Sequence, residues 1–190
     1  MNIFYLDKDP KTCAEMHCDK HVCKMIIEYA QLMSTAHRVL DGDTYVSQTL
    51  GGRRIQRWKH PLPKMEKTLY KASHVKHPSN LWVRASQNHY NWLYQMWTHL
   101  CDEYTHRYGK VHGCADALFE AKKTFHKFAK EVITCYCMVE SFTRAMPDEY
   151  KHDTSIDTFT AYKNYIRSKP WVASNYLRDP SRKPDWVTVE

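Results

Sequence analysis

His17, His21, Lys24, Glu28 and Gln31 follow one another at spacings of four, three, four and three residues. At about 100° per residue they project within about 40° of one line down a helix. A solvated helix face is ordinarily a loose mixture of lysine and glutamate. Two imidazoles, an amine, a carboxylate and an amide in register instead resemble the lining of a cleft. The chemistry on offer is acid/base or amine catalysis. A lysine desolvated near another cation can lose its proton and attack an aldehyde or a sugar carbon. Glu28 can stabilise the charge that develops or move the proton, and the two histidines would titrate near neutral pH. The same stripe also reads as a polar seam packed on a neighbouring helix, with Lys24 and Glu28 as an ordinary i,i+4 pair.

Metal chemistry is weighed on the same helix. Cys13, His17 and His21 stand at i, i+4 and i+8, an acceptable geometry for zinc, but a fourth ligand is missing and Cys18 and Cys23 project elsewhere. Cys135-x-Cys137 lacks the spacing of a structural zinc motif. No metal and no cofactor is therefore expected. Seven cysteines at irregular spacing do not form a disulfide framework, which points to a reducing cytoplasm.

A second constellation is electrostatic. Residues 51–80 hold eight basic side chains (Arg53, Arg54, Arg57, Lys59, Lys64, Lys67, Lys71 and Lys76) against Glu66 alone, so this segment carries the whole net charge of +7. A localised basic surface calls for a polyanion, and duplex DNA is the expected partner. Arg53, Arg54, Arg57 and Lys59 would hold phosphates, with Lys20 adding charge on the first helix. The competing reading is a solvated basic face that serves solubility. Further on, Trp82, Tyr90, Trp92, Tyr94, Trp97, Tyr104 and Tyr108 are interleaved with Arg84, Asn88, Asn91 and Gln95. Aromatics beside amides and arginine can stack and hydrogen-bond an exposed base. Trp82, Leu93 and Tyr104 fall on the buried arc, whereas Trp92 and Tyr94 fall off it and are candidates to stack a displaced base.

The elements that must position these groups read as helices. Five glycines in 190 residues is well below the usual share of roughly 7%, and too few for the turns of a sandwich or a Rossmann domain. Asp9 and Pro10 start a helix expected over 10–40, whose core arc is Ala14, Cys18, Val22, Met25, Tyr29, Leu32, Met33, Ala36 and Leu40. Residues 41–63 read as a connection and 64–74 as a short helix. Ser79 caps a long helix to Gly109, a third helix spans about 113–137, and a last one about 155–168. Residues 170–190 read as a coil tail. The expectation is one compact all-α domain with two long helices joined by a basic loop. No apolar run approaches the ~20 residues of a membrane span and no export leader is recognisable.

The run CDKHVCKMIIEYAQLM at 18–33, followed by KHPSNLWVRASQNHYNWLY at 76–94, resembles the endonuclease V family of pyrimidine-dimer DNA glycosylases and its uncharacterised phage and bacterial relatives. The matching positions are Asp19, Lys24, Glu28, Gln31, His77-Pro78 and Trp82, over roughly the first 110 residues. The resemblance implies a compact helical fold that binds duplex DNA, flips a nucleotide and cleaves the glycosidic bond of a damaged pyrimidine. It also implies an α-amine nucleophile at the mature N-terminus, an imine that permits strand cleavage, and no cofactor. The family exposes that amine by removing methionine before a small residue, whereas Asn2 is larger and disfavours removal, so here the amine belongs to Met1 or is absent as a nucleophile, and the assisting carboxylate is Glu28 or Asp19.

Together these readings give an enzyme acting on a damaged or modified base, a glycosylase and abasic-site lyase. Lys24 or the N-terminal amine attacks C1′, Glu28 manages charge, and His17 and His21 position or protonate. The alternatives are a phage base-modification enzyme using the same stripe, and a nucleic-acid-binding or host-takeover protein without chemistry.

Overall fold

Four consecutive apolar residues, Ile3 to Leu6, follow Met1 and Asn2, and a computed structural model, which describes residues 1–114 and 141–188, buries all four. They form no helix and run extended through the centre of the molecule. Tyr5 meets the rings of Trp82, Trp92, Phe142 and Tyr162 at centroid distances of 4.8 to 5.5 Å. The Phe4 amide donates to the Tyr29 hydroxyl. One apolar cluster extends from Ile3 to Val187 and draws on every long helix.

Asp9 caps α1 (Pro10–Glu15), its carboxylate accepting from the Thr12 amide at 2.7 Å, with Pro10 at the first helical position. The helix expected over 10–40 is in fact two, because the chain breaks at residues 16–18 and restarts as α2 (Asp19–Asp41). The break is made by tertiary contacts. The Asp19 amide, which helix continuation would turn inward, donates to the Asn175 carbonyl at 2.9 Å. Arg107 reaches in from the far helix and donates to the Glu15 carbonyl at 2.9 Å and the His17 carbonyl at 2.8 Å. Carbonyls freed by the break thus find a charged donor rather than an interior without partners.

The expected connection at 41–63 contains a β-hairpin, β1 (Asp43–Gln48) and β2 (Arg54–Lys59), in antiparallel register with Asp43 opposite Lys59 and Gln48 opposite Arg54. The fold is therefore mostly helical and not purely all-α. Gly42 starts the hairpin because a Cβ there would come within 2.4 Å of the Arg38 carbonyl oxygen. Gly52, at φ +76°, takes the left-handed position of the tip turn that glycine tolerates best. Strand periodicity was hidden because Thr44, Tyr45 and Val46 are all exposed, so no apolar-polar alternation marks the ladder.

α3 (Pro63–Thr68) is shorter than the 64–74 expected. The second long helix also divides, at Ser86, into α4 (Pro78–Ala85) and α5 (Gln87–Tyr108). His77, not Ser79, caps α4, its Nδ1 accepting from the Ser79 amide, and Ser86 caps α5 by accepting from the His89 amide. α6 (Asp148–Lys151) and α7 (Thr158–Arg167) follow. The helix expected over 113–137 lies almost wholly outside the described residues. Residues 170–188 do not hang free. Val172, Tyr176 and Val187 are buried, and the Tyr176 hydroxyl donates to the Met16 carbonyl at 2.9 Å.

Candidate active site

The stripe on the first helix does not stay together. Lys24 and Glu28 reach a common point, while His21, in the first turn of α2, and His17, in the break before it, are buried. His17 is 0% exposed. Its Nδ1 stands 2.8 Å from the Cys13 carbonyl and must donate, which leaves Nε2 to accept from the Tyr29 hydroxyl at 2.9 Å. Burial pushes His17 down to about 3, with the charges of His21 and Arg107 acting the same way. His21 lies between the rings of Phe4 and Trp171, and burial, reinforced by Lys24, pushes it down to about 4. Neither titrates near neutral pH, which corrects the expectation for both. Cys13 is likewise internal: its sulfur accepts from the Leu6 amide and donates to the Phe4 carbonyl.

Glu28 is where the polar groups converge. Its Oε1 meets Lys24 Nζ at 3.1 Å. Its Oε2 accepts from the Asn2 amide at 3.0 Å and stands 3.6 Å from the α-amine of Met1. Lys24 is 69% exposed while Glu28 is 15% exposed, so the carboxylate faces the inside of the site and the lysine its outer edge. Gln31, on the same line, is half-buried.

Three further parts of this site came from outside the stripe. Asn80 donates to the Ser73 and His74 carbonyls and approaches the Met1 sulfur at 3.4 Å. Its Oδ1 is buried with no hydrogen-bond partner among the described residues. His77 is held below its usual range by burial, then by the positive N-terminus and by His74. His74 itself sits at φ +50°, an unusual backbone for a residue with a side chain. Asn2 is clamped by its side chain, donating to the Ala145 carbonyl at 2.6 Å and accepting from the Ile3 amide and the Tyr162 hydroxyl. The signal that could have revealed this is the buried run Ile3 to Leu6, which fixes where the first two residues must lie.

The second carboxylate considered, Asp19, is occupied elsewhere. Oδ1 pairs with Arg107 at 3.2 Å, and Oδ2 accepts from the Leu177 and Arg178 amides at 2.7 and 3.1 Å. Glu103 and Arg182 extend this network. Asp19 is thus a structural anchor for the C-terminal segment.

The residues assigned to DNA divide in the same way. Arg53, Arg54 and Lys59 are exposed on the hairpin and Arg57 is half-buried there. Glu66, the one acid in this basic stretch, is 37% exposed and its charge is met by buried Arg38 at 2.5 Å. Lys20 is exposed, its ammonium 4.9 Å over the Trp171 ring. Arg84 is half-buried and donates to the Val75 carbonyl at 2.8 Å, bracing the loop before α4. Trp92 and Tyr94 are 7% and 8% exposed, and Trp92 donates to the Lys8 carbonyl at 2.7 Å. They belong to the core, which corrects their assignment as stacking residues.

One group of metal-ligand types falls together among the described residues: His37, Asp41 and His60, with ligand atoms within 4.8 Å of one another. His60 Nδ1 accepts from the Leu62 amide at 3.1 Å, which leaves the proton of the neutral ring on Nε2. Nε2 is buried with no hydrogen-bond partner among the described residues, and His37 Nε2 stands 3.0 Å from the Tyr90 hydroxyl.

No helix among the described residues is long and apolar enough to cross a membrane. No protein-family model, no curated protein and no solved structure matches the chain.

Proposed function

We propose that this protein is a DNA-binding enzyme acting on a damaged or modified base, a glycosylase and abasic-site lyase whose nucleophile is the N-terminal amine. The observation that carries the reading is the convergence of the Met1 α-amine and the Asn2 amide on Glu28 Oε2. A carboxylate so placed can take a proton from the ammonium, freeing the amine to attack the sugar C1′. The N–C1′ bond forms as the glycosidic bond breaks, the base leaves with its electron pair and takes the proton held by Glu28, and passage of an N–H proton through the freed carboxylate to O4′ breaks the C1′–O4′ bond, so that a protonated imine remains on the opened sugar. The same carboxylate stabilises that cation. Lys24 balances the charge of Glu28 from the outer edge, and neutral His77 is available to move a proton.

The reading does not depend on whether Met1 is retained. If Met1 is removed, the new amine is the nitrogen of Asn2, 3.0 Å from the same carboxylate oxygen. Either terminus meets Glu28.

The test is borohydride trapping of the purified protein on abasic, cyclobutane-dimer and undamaged duplexes, after mass spectrometry of its N-terminal residue. A covalent adduct on abasic or dimer DNA, mapped to the N-terminal peptide, supports the reading. Mapping to Lys24 would move the nucleophile. DNA binding without adduct or strand cleavage would favour base modification or a binder without chemistry.

A further inference from the structure

The hairpin has more to it than charge. We propose that β1 and β2 form a sequence-reading ribbon whose exposed face, carrying Thr44, Val46, Gln48, Arg54 and Gln56, enters the major groove of duplex DNA and contacts base edges. This rests on the DNA reading above and adds a recognition surface to it.

Register decides which residues share a face. Gln48 pairs with Arg54, Val46 with Gln56, and Thr44 with Trp58. Paired residues and their i±2 neighbours lie on one side of a ladder, so these six side chains form one face. Thr44, Val46, Gln48, Arg54 and Gln56 are all exposed. Trp58, at the root of this face, is partly covered; on the other face Ser47, Ile55 and Arg57 are partly covered while Asp43, Tyr45 and Lys59 are exposed, so the first face is the more open of the two toward the tip.

The composition of the exposed face suits base edges. Arginine can grip guanine O6 and N7, glutamine can grip adenine N6 and N7, and the methyl groups of valine and threonine can meet the thymine methyl. Same-face residues along a strand lie about 6.6 Å apart, close to two base-pair steps of about 3.4 Å. A six-residue strand is about 20 Å long, and a two-stranded ribbon fits the roughly 12 Å width of the major groove. Charge complementarity points the same way. Arg53 stands at the tip beside this face, Arg57 and Lys59 extend from the opposite face of the same ribbon, from which long side chains can reach phosphates at the groove edges, and Asp43 at the root is the sole acid in the hairpin sequence.

The root is rigid, as recognition requires. Arg38, 3% exposed, donates to the Trp58 carbonyl at 3.1 Å and also to the carbonyls of Glu66, Leu69 and Tyr70. The His60 amide donates to Glu66 Oε2 at 2.7 Å. The ribbon projects from a fixed base, and its exposed face can enter a groove.

The experiment is selection by the full chain from a pool of randomised duplexes, followed by fluorescence anisotropy on selected and scrambled duplexes across a salt series. The wild type should enrich a short motif. Gln48→Ala/Arg54→Ala/Gln56→Ala should cut the preference for the selected duplex by of order tenfold or more, with a salt slope smaller by about one charge. Arg53→Ala/Arg57→Ala/Lys59→Ala should weaken both duplexes alike and reduce the slope by about 2.7. Replacing motif guanines with 7-deazaguanine, which leaves the protein intact, should reproduce part of the first loss. Salt-dependent duplex binding with no enriched motif, or a preference that survives the first triple variant, overturns the ribbon inference and leaves the DNA reading standing. No binding to duplex by the wild type overturns both.

Discussion

Asn2 and Glu28 are 26 positions apart in sequence, yet the Asn2 amide donates to Glu28 Oε2 at 3.0 Å. This bond fixes the first residues against α2, the longest helix among the described residues. It also brings the Met1 α-amine to 3.6 Å from the same oxygen. An amine and a half-buried carboxylate in this relation can exchange a proton without rearrangement of the fold.

Glu28→Gln keeps the size of the side chain and removes its charge. Adduct formation in borohydride trapping should fall by about 10²-fold or more, while DNA affinity by anisotropy stays within about twofold. A parallel collapse of the circular dichroism spectrum would instead show that Glu28 holds the fold.

Lys24 is the competing nucleophile, and its exposure marks it as the outer partner of Glu28. In Lys24→Ala the trapped adduct should still form, at a reduced rate, and should map to the N-terminal peptide. Loss of all adduct would transfer the nucleophilic role to Lys24.

Lys71 and Lys76 are exposed beside the loop that Asn80 holds, and they take no part in the hairpin. Lys71→Ala with Lys76→Ala should weaken duplex binding without base preference. The log–log salt slope should fall by about 1.8 if both meet phosphates. An unchanged slope would place the DNA path elsewhere.

Arg38 should be among the most costly residues to change. Arg38→Met strips donors from the Trp58, Glu66, Leu69 and Tyr70 carbonyls and leaves Glu66 without its cation. A loss of about 3–5 kcal/mol is expected from urea unfolding. Hydrogen exchange should accelerate first in the hairpin, which is marginal once its root is released. Wild-type exchange rates there would contradict this role for Arg38.

Acid should unfold the protein early. Burial is the leading cause that pushes His17 and His37 down to about 3 and His21 down to about 4. In the unfolded chain each titrates near its ordinary value of about 6.5. Below that value the unfolded state binds protons that the folded state refuses. Stability is therefore complete above about pH 6.5 and is lost as pH falls toward the folded values. Each group contributes up to about 1.4 kcal/mol per pH unit, so three together give a slope near ~4 kcal/mol per unit. Unfolding free energies measured from about pH 7 down to pH 5 should fall with a slope that steepens toward this limit as pH drops below about 6.5, and a flat profile would place the histidines in contact with water.

Local signals in the sequence were sufficient for several elements. Asp9-Pro10 specified a cap and a helical start through one side-chain oxygen and one fixed φ, and the structure has both. The arc from Cys18 through Ala36 was legible because a helix repeats its buried face every three to four residues, and those positions are buried. The pairing of Lys24 with Glu28 followed from the same periodicity.

Tertiary structure decided what those periodicities left open. The helix break before Asp19 depends on Asn175 and Arg107, partners 156 and 88 positions away, so no local window contains its cause. The hairpin escaped notice because its exposed strand faces carry no alternation for burial to enforce. Angle along a helix could not separate His17 from Glu28, because what distinguishes them is the neighbour each meets. His17 meets Tyr29 and the core, whereas Glu28 meets the N-terminus. Trp92 and Tyr94 looked peripheral on a helix considered alone. Trp92 is buried because the N-terminal segment packs on it, with Tyr5 against its ring and the Lys8 carbonyl on its indole nitrogen, whereas Tyr94 is covered on another side, beside Tyr90 and Trp97. Sequence determines the faces that a helix offers, and only the packed chain determines which of them meets another segment and which meets water.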